Sequence, residues 1–180
     1  MVLPTDTVYG VAVLASSPHA VDRLAAAKGR PSSQAVAVLV AGIDQARELA
    51  DLGSIRGLVD RAWPGPVTLV VDRRPSAAAL SLGGDPRAIG LRCPDHALVR
   101  GVAARAGPLA TTSANRHGES TPATAQAAAA TLAEPVDLVL DGGPCQGTAS
   151  AVIDVTAEPW TVLRTGPLDD AALLALLDSH

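Results

Sequence analysis

The residues best placed to do chemistry lie in the stretch Thr111-Thr112-Ser113-Ala114-Asn115-Arg116-His117-Gly118, directly after the apolar run Pro108-Leu109-Ala110. Small polar side chains and open backbone N–H groups, set where a buried strand gives way to a loop, suit the oxygens of a phosphate or carboxylate. The competing reading is a Ser/Thr/Asn turn bonded only to its own backbone. Rarity favours chemistry. Asn115 is the only asparagine, Lys28 the only lysine and Tyr9 the only tyrosine. In Lys28-Gly29-Arg30-Pro31 two cations one residue apart converge on an anion. A pair of helix-end charges answering the helix dipole is the alternative. The chain strongly favours arginine, so a retained lysine is a candidate for work arginine cannot do. Pro4-Thr5-Asp6-Thr7-Val8-Tyr9-Gly10 is a third shaped loop, with hydroxyls available to a ligand.

These loops need elements to hold them. Val11-Ala12-Val13-Leu14 reads as a buried strand, and Ser17 followed by Pro18 opens a helix with Val21, Leu24 and Ala25 inward. Lys28 to Pro31 end that helix. Residues 35–40 read as a strand. Two helices follow, one capped by Asp44 and one by Ser54, and Trp63-Pro64-Gly65-Pro66 stops the second. Residues 67–71 and 89–92 are strands, separated by the irregular connection 73–86, the longest in the chain and a candidate mobile cover. Asp95 caps a helix over 96–106, and Pro122 starts an alanine-rich helix running to 132. Residues 136–140, 151–155 and 160–164 are strands, and 168–177 is a closing amphipathic helix. Some strand connections are too short for helical crossovers. The expected fold class is therefore α/β, a mixed parallel and antiparallel sheet with covering helices.

Composition narrows the function. At 180 residues and 48% apolar, the chain buries a real core and forms one domain over 1–180. No apolar run has the length of a membrane span, and Met1 to Asp6 lacks the pattern of a signal peptide. Cys93 and Cys145 make no CxxC spacing, so a reduced, cytoplasmic protein without a membrane partner is expected. Fourteen basic against 18 acidic residues give a net charge of -4. With only Trp63, Trp160 and Tyr9 available for stacking, long nucleic acid is not expected as a direct ligand. There is no GxxxxGK[ST] loop, GxGxxG fingerprint or G-x-S-x-G elbow. His19, His96, His117 and His180 show no metal-ligand spacing. An enzyme built this way works by positioning anions, with magnesium carried by the substrate and no prosthetic group.

Pro-Thr-Asp-Thr-Val-Tyr-Gly, Lys-Gly-Arg-Pro, Trp-Pro-Gly-Pro-Val-Thr, Thr-Ser-Ala-Asn and the closing Arg164-x-Gly166, in this order, resemble the YrdC-like threonylcarbamoyl-AMP synthases in their short, single-domain form. The resemblance implies a twisted mixed sheet around a concave, positively lined cavity. It implies a reaction of L-threonine, bicarbonate or CO2, and ATP with Mg2+ that yields threonylcarbamoyl-adenylate and pyrophosphate. A partner transferase complex would then pass the group to tRNA, which this chain meets only indirectly. By resemblance, Lys28 and Arg30 are catalytic and grip the phosphates and the threonine carboxylate. Ser113 and Asn115 bind nucleotide phosphates, Ser150 joins that set and Arg164 lies along the nucleotide. Thr5, Tyr9 and Thr68, with Arg30, shape the threonine pocket.

The sequence departs from the family pattern at three places. Family members carry a helix and a strand ahead of the first motif, where this sequence has Met1-Val2-Leu3. These residues are not expected to make a useful strand, and the expectation is that either an edge of the sheet is missing or the start is set late. The family's Ser-Thr-Val is Ser150-Ala151-Val152, and the serine after Ser-Ala-Asn is His117. Two alternatives stand beside the synthase. One is a non-catalytic RNA-binding module of the same fold, and the other is a relative handling another carbamoyl-adenylate.

Overall fold

The computed structural model describes residues 1–116, 118–145 and 147–177; His117 and His180 lie outside the described residues. Its strands are β1 (Val2–Leu3), β2 (Gly10–Leu14), β3 (Ala37–Leu39), β4 (Val67–Asp72), β5 (Ala88–Arg92), β6 (Leu109–Ser113), β7 (Ala151–Asp154) and β8 (Thr161–Arg164). They form one eight-stranded sheet in the order β1-β2-β6-β3-β5-β4-β7-β8. β3 runs parallel to β5 and β4 to β7, and every other neighbouring pair is antiparallel. The sheet is mixed, as its short connections require. Around it lie α1 (Pro18–Ala27), α2 (Ile43–Leu49), α3 (Arg56–Ala62), α4 (Ala97–Ala106), α5 (Ala125–Ala130) and α6 (Asp170–Leu177).

Side chains alternate across the strands, so the two faces have different fates. One face, carrying Val11, Val38, Leu69, Val71, Leu91, Ala110, Ala151 and Ile153, packs into the main core with Leu24, Leu58 and Val59 of the helices. On the other face, a smaller cluster of Leu3, Ala12, Leu39, Leu109, Val99 and Ala103 seats α4 at one end of the sheet. The rest of that face is left hollow. Its inward positions include Gly10, Ala37, Ala88 and Gly90, which are too small to fill it.

Several local expectations are corrected. Asp44 does not cap α2: Gly42 holds the N-cap, Asp44 sits in the first turn 3.6 Å from Arg47, and Gln45 Oε1 accepts the Ala41 N–H at 2.8 Å. Neither Ser54 nor Asp95 caps its helix. Ile55 and His96 occupy those positions without a side-chain bond, and Asp95 pairs instead with Arg100 at 3.1 Å. Ser17 caps α1 as expected, accepting from Ala20 N. Thr124, not Pro122, opens α5.

The strand before the polar stretch does not stop at Ala110. β6 continues to Ser113 because its ladder with β2 extends to the Gly10–Ser113 pair, and threonines suit a pleated surface. Residues 136–140 are not a sheet strand. They make one parallel bridge, Val139 to Val2, framed by Val2 N to Leu138 O and Leu140 N to Val2 O. That bridge overturns the expectation for Val2 and Leu3. They form β1, wholly buried between β2 and residues 138–140. The connection 73–86 packs against residues 32–36. Ala77 and Leu82 are buried, Val36 N donates to Leu82 O and Gly84 N to Ser33 O at 2.7 Å. Gly83 takes φ +68 where a Cβ would meet Ser32 and Gln34 carbonyls at 2.7 and 2.6 Å. Through Leu82, Gly83 and Asp85 this stretch forms part of the wall of the hollow.

Candidate functional site

The hollow is a cavity of about 690 Å³, within the size range of small-molecule sites. The Thr5–Gly10 segment, the C-terminal end of α1, the end of β6 and the β7–β8 pair each reach it. Of the residues singled out in sequence, Thr5, Lys28, Arg30, Thr68, Ser113, Asn115, Ser150 and Arg164 all line it. Residues up to 159 positions apart in the chain thus share one concave surface, Thr5 with Arg164.

Tyr9 is the exception. Its side chain is fully buried, and its hydroxyl donates to Gly143 O at 2.7 Å while accepting from Gly142 N at 3.1 Å. It holds the turn at Asp141 to Gly143 against the Thr5–Gly10 segment and does not line the cavity. Burial first of all raises its pKa.

Lys28 follows the last residue of α1, where its backbone N–H still reaches helix carbonyls. Its ammonium crosses to the end of β6, donating to Ser113 O at 2.7 Å, to Asn115 Oδ1 at 2.7 Å and to Asn115 O. Burial, and then the charge of Arg30, push its pKa down to about 8. The Arg30 guanidinium donates through Nη2 to Gln34 O at 2.6 Å and Ala35 O at 3.1 Å, while its Nε is buried without a partner. On the opposite wall Thr68 Oγ1 and Ser150 Oγ lie 2.9 Å apart. Arg164 Nε donates to Ser150 O at 2.7 Å and its Nη2 to Ser150 Oγ at 3.3 Å. Burial lowers the pKa of Arg30 and Arg164, but guanidinium groups stay charged in proteins.

Sequence reasoning missed Arg92. It closes β5, lines the cavity and is only 5% exposed. Its Nη2 reaches Asp6 Oδ1 at 2.6 Å, Nη1 reaches Thr7 Oγ1 at 2.9 Å and Nε reaches Gly65 O at 3.1 Å. It therefore joins the first motif to the Trp-Pro-Gly-Pro turn. The available signal was an arginine at the end of an otherwise apolar strand, Ala-Ile-Gly-Leu-Arg. Thr5 Oγ1 is also internally engaged: it donates to Val8 O at 2.6 Å and accepts from the N–H groups of Thr7 and Val8, both at 3.1 Å. Ala151, where the family has threonine, is fully buried on the core face, whereas its neighbour Val152 lines the cavity. The missing hydroxyl falls on the side away from the hollow.

Lys28, Arg30, Arg92 and Arg164 face the cavity together with Asp85 and Asp154. Among the described residues, no three His, Cys, Asp or Glu side chains group to hold a metal ion. No helix of the described residues is long and apolar enough to cross a membrane.

Fold and cavity together define an α/β protein with a hollow on one face of a mixed sheet, lined by four cationic side chains and two aspartates. The chain belongs to the Sua5/YciO/YrdC family, described as telomere recombination, whose model matches residues 1–166. A Mycobacterium tuberculosis relative is 35% identical over 180 residues, covering 98% of this chain and 82% of its own length. The threonylcarbamoyl-AMP synthase of Bacillus subtilis is 32% identical over 178 residues, covering 97% of this chain but 51% of that protein. The crystal structure of P. abyssi Sua5 complexed with L-threonine superposes with a TM-score of 0.85 at 30% identity, covering 97% of this chain and 52% of that one. The chain thus spans about half the length of those two proteins. E. coli YciO shares the fold, with a TM-score of 0.84 at 22% identity over 98% of this chain and 85% of that one.

Proposed function

We propose that this chain joins L-threonine, bicarbonate or CO2, and ATP into threonylcarbamoyl-adenylate with release of pyrophosphate. The observation that carries this reading is the convergence of Lys28, Arg30, Arg92 and Arg164 on one cavity, in a family with members named for that product. The named binding of L-threonine by the P. abyssi relative supports the amino acid. In the reaction, threonine's amine adds to CO2 and loses a proton to give a carbamate. A carbamate oxygen attacks the α-phosphorus, and the bond to the bridging oxygen of pyrophosphate breaks. Charge on phosphate oxygens must be met throughout, so fixed cations and donors supply the help. Arg30 and Arg164 meet the anionic groups from opposite walls, and Lys28 adds buried positive charge. Ser113 and Ser150 place hydroxyls on the same surface, and Thr68 orients Ser150. Magnesium enters with ATP as part of the substrate. The product is a mixed anhydride, which a transferase would pass to tRNA as the first step of threonylcarbamoyladenosine formation.

The test is incubation with ATP, magnesium and bicarbonate, following pyrophosphate. Release should require L-threonine, and serine should support it more weakly, since one methyl group is worth about 1–3 kcal/mol. Equal release with no amino acid present defeats the reading.

A further inference from the structure

A lysine ammonium has three N–H donors and no acceptor, and an asparagine amide has two donors and an oxygen with two lone pairs. At the end of β6 both groups are fully engaged. All three Lys28 protons go to Ser113 O, Asn115 O and Asn115 Oδ1. Asn115 Oδ1 also accepts from Ser113 Oγ at 2.5 Å, which fills it. Asn115 Nδ2 donates to Arg116 O at 2.9 Å and to Glu119 O. Lys28 and Asn115 are only 7% and 8% exposed. By contrast Arg30 Nε, on the same cavity, is buried with no partner at all.

We infer that Lys28 and Asn115 are positioning residues that brace the loop after β6, and that direct contact with the bound anion is left to the guanidinium groups of Arg30 and Arg164. Lys28 ties the end of α1 to the 113–119 segment. Asn115 closes that segment on itself through Arg116 and Glu119. The brace fixes where the Ser113 hydroxyl and the following backbone stand. Arginine cannot substitute, because a planar fork does not converge on two carbonyls of one residue and a third beside it. The compact ammonium does. The turnover arm of the test rests on the synthase reading above; the exchange arm does not.

The experiment uses the whole chain without ligand. Hydrogen exchange is followed at the Asn115 and Glu119 amides, which donate to Ser113 O and Arg116 O. In Lys28→Met their exchange should accelerate about tenfold or more while strand amides stay protected, and Arg30→Met should leave them near the wild-type rate. If Lys28→Met proves unstable, Lys28→Gln, which keeps two N–H donors, takes its place. Turnover supplies the second readout. The kcat/KM for ATP should fall no further in Lys28→Met/Asn115→Ala than in the worse single variant, whereas Lys28→Met and Arg30→Met losses should multiply. Wild-type exchange in the lysine variant, or multiplying losses for Lys28 with Asn115, overturns the inference. Absence of pyrophosphate release by the wild type would strike the synthase reading alone.

Discussion

The Arg92 guanidinium stands 2.6 Å from the Asp6 carboxylate, with side-chain exposures of 6% and 13%. The pair spans β5 and the first motif, and Arg92 carries on to Thr7 Oγ1 and Gly65 O. Breaking a buried pair leaves an uncompensated charge and costs about 3–5 kcal/mol. Arg92→Met should therefore destabilise the fold by about that much in urea titration. Adding Asp6→Asn, which neutralises the stranded carboxylate, should recover part of the loss. If the two substitutions add without coupling, the pair is not a structural unit.

Lys28 offers a direct titration because no other lysine shares its signal. Lysine-selective 15N labelling should give one side-chain resonance, with a midpoint near the value of about 8 set by burial and then by Arg30. Anion binding favours the ammonium, so MgATP should move the midpoint upward. Below about 8 the site carries this charge; as pH rises through that value the charge is lost, and the KM for ATP should rise. The stability effect has the opposite sense. The folded pKa lies below the free value of 10.5, so between about 8 and 10.5 the unfolded chain binds more protons and this group's contribution grows more favourable with rising pH. A midpoint near 10.5 would show that the three carbonyl bonds offset the effects of burial and of Arg30.

Gly166 explains the glycine of the closing Arg164-x-Gly166 motif. It takes φ +63, and a Cβ there would stand 2.2 Å from Ala151 N and 2.6 Å from Ser150 C. Gly166→Ala must push the end of β8 away from β7, moving Arg164 off Ser150. A left-handed backbone alone costs a residue with a side chain about 1–2 kcal/mol. With the clash added, the loss should reach about 3 kcal/mol, a fall of roughly 6–12 °C in Tm for a chain of this size. Calorimetry showing an unchanged Tm would refute the close packing of these strands.

Thr68→Val tests the other wall. Valine matches the shape of threonine but removes the oxygen 2.9 Å from Ser150 Oγ. Stability should drop by about 1 kcal/mol. Ser150 is then held by Arg164 alone, and pyrophosphate release should slow by about fivefold, a barrier change of about 1 kcal/mol. Turnover equal to wild type would remove Thr68 from the site.

The sequence by itself determined the strand segments at 11–14, 67–71 and 89–92, the Ser17-capped helix and the rare polar residues that gather in the cavity. Those signals are local: apolar runs, a capping hydroxyl, glycine and proline stops. The family was also legible, because five short polar motifs stand in this chain in the order that carries the resemblance. Tertiary structure alone decided which polar atoms are free. Tyr9 looked like a pocket residue, but its hydroxyl is taken by Gly143, 134 positions away. Lys28 lines the cavity, and its donors reach Ser113 and Asn115, 85 and 87 positions away, a geometry no local pattern shows. Arg92 gave little local signal, because its partners Asp6, Thr7 and Gly65 lie on other segments. Residue type fixes how many hydrogen bonds a side chain can make, whereas their direction depends on which distant strands the sheet brings alongside.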